Sequence, residues 1–210
     1  MKNPAPDKKQ HILNAAEQLF AQNGYDSTST REIAETAEVN AAMIAYYFGS
    51  KENLLKAIIE RYGEQALALL RDEYDAGLPP DDRLKKLTSA YLEYAFSRPG
   101  PIVIAHREVG IRLRPDMHES IQAIFTEIRD MIQTCINEGV ASGIFRNVNL
   151  PLFMFVVAGM YDHIVNQLHV LANLNIDGSV YGLPGTDTLQ ARRQIEEILW
   201  DLTESYLKKH

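Results

Sequence analysis

The chain has 210 residues, 46% of them hydrophobic and 23% charged, with a formal net charge of −7. That is an ordinary globular balance, long enough for one large domain or two small ones. A single cysteine, Cys135, excludes an internal disulfide framework and fits a reducing compartment, the lack of any apolar run of ~18 residues excludes a membrane span, and the acidic balance argues against wholesale electrostatic attraction to nucleic acid.

The opening "MKNPAPDKKQ" is polar and lacks the apolar segment of a secretory signal. From there the pattern is helical throughout. Ile12, Ala15, Ala16, Leu19 and Phe20 recur at i, i+3, i+4, i+7 and i+8, an amphipathic helix that Asn23-Gly24 ends through a left-handed cap. Ser29, with Glu32 three residues on, is a capping box and predicts a short second helix with Ile33, Ala34 and Ala37 as its apolar positions. After a turn at Glu38-Val39, Asn40 is the N-cap of a third helix, which Gly49-Ser50 ends. Ser50 caps a long fourth helix carrying Leu54, Leu55, Ile58, Ile59, Tyr62, Ala66, Leu69 and Leu70 at helical spacing.

"AGLPPDD" breaks the pattern and marks a boundary between a small front domain and a larger rear one. Five more helices are predicted, over 82–97, 101–110, 116–142, 150–173 and 188–208, the fourth of these started by Asn149 with Pro151 in its first turn. The loop "NLNIDGSVYGLPGTD" holds four glycines or prolines, and its length is that of functional or mobile loops. No strand alternation, internal repeat or low-complexity run interrupts the series. The expected fold class is all-α, about nine helices in total.

Three short helices, the last two joined by a tight turn, form a helix-turn-helix. Its core would use Leu19, Phe20, Ile33, Ala34, Val39, Ile44 and Phe48. Ile44 and Phe48 stand at i, i+4 and face inward, which leaves Ala41, Ala42, Met43, Ala45, Tyr46 and Tyr47 for the other faces. Small side chains allow close approach to base edges, alanine and methionine can touch thymine methyls, and tyrosine hydroxyls can reach phosphates.

At this point the sequence resembles the TetR (tetracycline repressor) family of transcriptional regulators. The resemblance is carried by "GYDSTSTREIAETAEVNAAMIAYYFGSKENLLKAI", residues 24–58, with its order of Gly-aromatic, Thr, Ile-Ala, turn, Tyr-aromatic-Phe, Lys and Leu. It implies a helix-turn-helix DNA-binding domain over 1–52 and a helical ligand-binding and dimerisation domain over 53–210. Carried over by position, Ser29 and Thr30 match phosphate contacts at the second helix N-terminus and Arg31 a base or phosphate contact. Ala41, Ala42 and Met43 match base-reading positions, beside the capping Asn40, and Tyr46, Tyr47 and Lys51 match phosphate positions. The family often has glycine where this chain has Glu38, and tyrosine where it has Ala45.

Lys51 would be the first residue of the fourth helix, where a cation against the macrodipole costs roughly 0.3–1 kcal/mol. A phosphate would offset that cost; the alternative is an exposed lysine with no role. Residues 1–52 hold five basic side chains (Lys2, Lys8, Lys9, Arg31, Lys51) against seven acidic ones (Asp7, Glu17, Asp26, Glu32, Glu35, Glu38, Glu52), a net −2. DNA binding would therefore rest on close hydrogen bonds, helix N-termini and a dimer that doubles the contacts, with a shallow salt dependence. With no arginine or lysine on the third helix, Arg31 is the nearby candidate for bidentate guanine recognition.

The rear part contains no H-E-x-x-H, di-iron E-x-x-H, P-loop, dinucleotide or G-x-S-x-G signature. Cys135 shares apolar helical spacing with Ile128, Ile132 and Ile136 and is expected in the core, and His106, His118, His163 and His169 lack ligand-like spacing. No metal or cofactor is expected. The family resemblance implies an effector pocket, for which Tyr91, Phe96, His106, Phe125, Phe155, His163 and Asn166 are the candidates. It also implies that the last two long helices pair with their copies in a homodimer, through Phe153, Val157, Ile164, Leu168, Ile195, Leu199 and Leu202. The expected function is a cytoplasmic, non-enzymatic, ligand-responsive regulator, a repressor. It would bind a pseudo-palindromic double-stranded DNA operator as a homodimer, respond to a small-molecule effector and have no membrane partner. The alternatives are an all-helical enzyme or small-molecule-binding protein with a structural front, and a helical adaptor that contacts protein through the Ala/Tyr face.

Overall fold

Local signals in the sequence become helix ends in the structure, a computed structural model. It describes residues 8–111, 115–173 and 189–208, apart from the side chains of 106–111, 115–121, 124, 125, 162, 169–173 and 189–191. Among the described residues there are nine helices and no strand: α1 (Lys8–Asn23), α2 (Thr30–Thr36), α3 (Ala42–Phe48), α4 (Lys51–Glu73), α5 (Pro80–Ser97), α6 (Pro99–Ile111), α7 (Pro115–Ala141), α8 (Leu150–Asn173) and α9 (Leu189–Leu207). Of the long loop expected at 173–187, Asn173 is the last residue of α8 and 174–187 lie outside the described residues. Among the described residues no helix is long and apolar enough to cross a membrane.

The caps explain the boundaries. Gly24, at φ 85°, ends α1, and its N–H donates to the Phe20 carbonyl. At α2 the box is closed in both directions: Glu32 N–H donates to Ser29 Oγ at 3.2 Å and Ser29 N–H to Glu32 Oε2 at 2.6 Å. Ser50 Oγ accepts from Asn53 N–H at 3.0 Å and starts α4, and Asn149 Oδ1 accepts from Leu152 N–H at 3.2 Å and starts α8. Helix α3 begins two residues later than Asn40. Ala41 stands at its N-cap without a side-chain bond, while Asn40 Oδ1 reaches past it to accept from Ala42 N–H at 2.9 Å.

By packing, the chain forms two compact units, residues 1–63 with 100–121 and residues 64–99 with 122–210. In the first unit Ile12, Ala16 and Phe20 of α1, Ile33 of α2, Ile44 and Phe48 of α3 and Leu54, Leu55 and Ile58 of α4 share one core, which Ile104 of α6 completes. Leu19 and Val39, expected inside, are partly buried against it. The Arg61 guanidinium pairs with Glu17 and donates to Asn14 Oδ1 at 3.2 Å, tying α4 to α1.

In the second unit Leu70, Leu84, Leu87, Ile136, Phe145, Phe153, Trp200 and Leu207 form the core. Cys135 is in it as expected, and burial pushes its thiol up from the ordinary range. Gly139 has no Cβ because the Phe145 ring occupies that space. Arg83 is buried, and its guanidinium donates to Glu138 Oε2 at 2.6 Å, Tyr74 Oη at 3.0 Å and the carbonyls of Leu78 and Ala76 at 3.0 and 3.3 Å. One planar donor fork thus fastens the 74–79 connection to α5 and α7.

Candidate nucleic-acid interface

The turn between α2 and α3 sets the direction of the third helix. Ala37 N–H donates to Ile33 O, Val39 N–H to Ala34 O at 2.9 Å, and the residue between them, Glu38, takes φ 54°. A side chain in this left-handed region is disfavoured by about 1–2 kcal/mol, which is the physical use of a glycine at such a position. Ile44 and Phe48 then enter the core, and Ala41, Ala42, Ala45 and Tyr46 face outward. Tyr46 is 79% exposed. Its ring meets that of Tyr47 edge-on at 5.0 Å, and Tyr47 is itself half-buried against the core. Met43 is also half-buried there, so the small outward surface of α3 belongs mainly to the alanines.

Ser29, Thr30 and Arg31 are exposed at the start of α2. Arg31 Nε lies 3.1 Å from Glu35 Oε1, an exposed i, i+4 pair that a phosphate can displace. The Lys51 ammonium stands 4.1 Å above the Tyr25 ring at the first residue of α4. The Ser29 backbone N–H, then its hydroxyl, hold the Glu32 carboxyl below its ordinary value, with a smaller contribution from Lys51. This surface can accept anions at Thr30, Arg31 and Lys51 while offering almost no bulk between them. Thr28 is buried and donates to the Gly24 carbonyl at 2.8 Å, locking the bend before α2 and so positioning the exposed start of that helix. The Gly-aromatic-x-x-Thr spacing is the signal of that bend in the sequence.

The second unit holds a cavity of about 470 Å³ walled by α4, α5, α7, α8 and α9. Its described lining is mostly apolar, including Leu84, Leu87, Met131, Ile132, Met154 and Val157, and of its seven polar side chains Tyr161 and Thr203 are the buried ones. Of the seven pocket candidates, Tyr91 and Phe155 line it. Phe96 does not; its ring carries the Arg192 guanidinium 5.6 Å above it. His163 is exposed and Asn166 half-buried, neither in the described lining, because each is rotated away from the wall that Met154, Val157 and Tyr161 present. The side chains of His106 and Phe125 lie outside the described residues. No group of three or more potential metal ligands occurs among the described residues.

The dimer candidates divide. Leu202 is 56% exposed, but Phe153 and Leu199 are buried inside their own unit, and Val157, Ile164, Leu168 and Ile195 are half-buried. The exposed apolar face lies one helical step away, at Leu152, Phe155 and Val156 of α8 and Ile198, Leu202 and Tyr206 of α9. Gly159, on α8 beyond Phe155 and Val156, has open space where a Cβ would stand.

Residues 12–58 match the family model for bacterial regulatory proteins of the tetR family, and residues 77–166 match one for a tetracyclin repressor-like C-terminal domain. The chain is 28% identical over 170 residues to the HTH-type transcriptional regulator HbdR of Aromatoleum sp., an alignment covering 79% of this chain and 69% of that one. It is 30% identical over 146 residues to the HTH-type transcriptional repressor NicS of Pseudomonas putida, covering 66% of each. The solved structure of the ketosteroid transcriptional regulator KstR2 of Mycobacterium tuberculosis shares the fold, with a TM-score of 0.76 at 20% identity, over 99% of this chain and 98% of that one.

Proposed function

The chain belongs to the TetR family of transcriptional regulators, and from that premise we propose that it is an effector-released repressor acting as a cytoplasmic homodimer on a pseudo-palindromic operator. The observation that carries this is the outward surface of α3. Ala41, Ala42 and Ala45 are exposed beside Tyr46, while Ile44 and Phe48 anchor the helix from behind. A solvated helix has no need of such a surface; a helix that lies in a major groove does.

In this reading residues 1–52 bind DNA. Ala41, Ala42 and part of Met43 approach base edges, Asn40 holds the helix start, and Ser29, Thr30, Arg31, Tyr46, Tyr47 and Lys51 take phosphates. Residues 53–210 bind the effector and the second subunit. The exposed apolar side chains of α8 and α9 support the dimer. Burying them removes hydrocarbon from water, and Gly159 lets a partner helix come close. Phe155, Val156, Ile198 and Leu202 are its central contacts.

The effector acts by population shift. Helix α4 starts with Lys51 and carries Leu54, Leu55 and Ile58 in the first core, and its Leu70 lines the cavity. A ligand that moves the cavity wall therefore moves the base of the reading head, and only its differential affinity for the two states sets the response. No residue is assigned a catalytic role. A mobility-shift assay against the DNA flanking the protein's own gene tests the proposal. The expected result is a salt-sensitive, sequence-specific shift; the lack of any shift in low salt overturns it.

A further inference from the structure

We infer that the cavity of the second unit selects a neutral, predominantly hydrocarbon effector bearing one hydrogen-bonding oxygen, which the Tyr161 hydroxyl holds. This rests on the effector-responsive reading above and adds the chemical class of the effector.

Tyr161 lines the cavity, is 3% exposed, and its hydroxyl has no hydrogen-bond partner in the structure. Buried hydroxyls are rarely left so, because the group gives up its bonds to water on folding. Neither neighbouring threonine has a proton left to give it. Thr203 Oγ1 donates to the Leu199 carbonyl at 2.8 Å, and Thr88 Oγ1 to the Leu84 carbonyl at 2.7 Å. Both protons are spent inside their own helices, whereas the Tyr161 proton is uncommitted. Burial pushes the Tyr161 hydroxyl above its ordinary range; nearby Thr203 opposes this and Glu196 adds to it, so the group is a neutral donor at physiological pH.

The rest of the wall fixes the remainder of the ligand. Leu84, Leu87, Met131, Ile132, Met154 and Val157 offer nothing to a second polar group, and the other polar side chains of the described lining, Tyr91, Gln122, Thr126 and Arg129, are half-buried or exposed rather than buried beside Tyr161. The charged residue in the described lining, Arg129, is exposed and paired with Asp130 at 3.2 Å, so a carboxylate carried to the depth of Tyr161 would lack a cation. A volume of about 470 Å³ falls in the range of small-molecule sites.

The test uses the full chain loaded with the fluorescent apolar probe N-phenyl-naphthylamine, displaced in turn by undecane, methyl nonyl ketone and undecanoate. The ketone is expected to displace the probe at an about three- to tenfold lower concentration than undecane, the span of one net hydrogen bond. Tyr161→Phe should abolish that advantage and leave the undecane curve in place, which also shows the cavity intact. Failure of the wild-type chain to bind the probe, equal potency of ketone and undecane on the wild type, or undecanoate ahead of the ketone overturns the inference. A mobility shift on the same samples separates the two levels. Operator binding without ketone preference overturns the effector class alone; ketone preference without operator binding overturns the regulator reading alone.

Discussion

The Lys51 ammonium sits 4.1 Å above the face of the Tyr25 ring, so a cation at the unfavourable end of α4 is held by the quadrupole of an aromatic from the bend after α1. The contact aims the lysine without neutralising it. Lys51→Ala is expected to weaken operator and random DNA alike and to reduce the salt slope by about one. Tyr25→Leu should weaken binding less and leave the slope unchanged, since the charge remains. Titrations at several salt concentrations distinguish the two, and an unchanged slope in Lys51→Ala would remove Lys51 from the phosphate contacts.

Glu38 holds φ 54° in the turn before α3 and adds a negative charge to the reading head. Glu38→Gly should stabilise the protein by about 1 kcal/mol, through relief of the left-handed conformation less the added freedom of the unfolded chain. It should also tighten DNA binding by removing like-charge repulsion. Denaturant midpoints and binding isotherms on one variant check both effects.

The capping box makes the start of α2 pH-sensitive. Ser29 holds the Glu32 carboxyl below its ordinary value of 4.5. A group with a depressed folded pKa contributes stability above its unfolded pKa and loses it as pH falls through the folded one. The protection of the Ser29 amide against hydrogen exchange should therefore decline as pH falls below about 4.5. Glu32→Gln should flatten that dependence.

Arg83 serves four acceptors from a buried position, Glu138, Tyr74 and two backbone carbonyls. Arg83→Ala is expected to cost about 3 kcal/mol in denaturant unfolding, because those acceptors lose their donors. Arg83→Lys should recover only part of this, since one ammonium cannot reproduce the planar fork.

On α9, Ile198 is 60% exposed and its neighbour Leu199 is 1% exposed. Ile198→Asp or Val156→Asp should yield a folded monomer in sedimentation, with little change in melting and loss of operator binding. Leu199→Asp should instead unfold the chain, as a buried unpaired charge does. A dimer that persists in both exposed-site variants would move the interface elsewhere.

What the sequence determined by itself is local. Helix starts and stops depend on bonds to backbone groups within four residues, from capping side chains or from a glycine's own N–H, so Ser29 with Glu32, Gly24, Ser50 and Asn149 are legible from the order of residues alone. The composition of α3 is legible for a similar reason: the i, i+4 pair Ile44 and Phe48 leaves the alanines outside. Tertiary structure decided which of two adjacent apolar residues faces inward. One residue turns a helix by about 100°, and α8 is apolar on most sides, so periodicity could not separate Phe153 in the core from Leu152 outside it. It also decided contacts that join distant segments: the Arg61–Glu17 pair, Ile104 completing the front core, and the walls that leave the Tyr161 hydroxyl without a partner. These depend on where whole helices come to rest, which is set by the packing of all their side chains together.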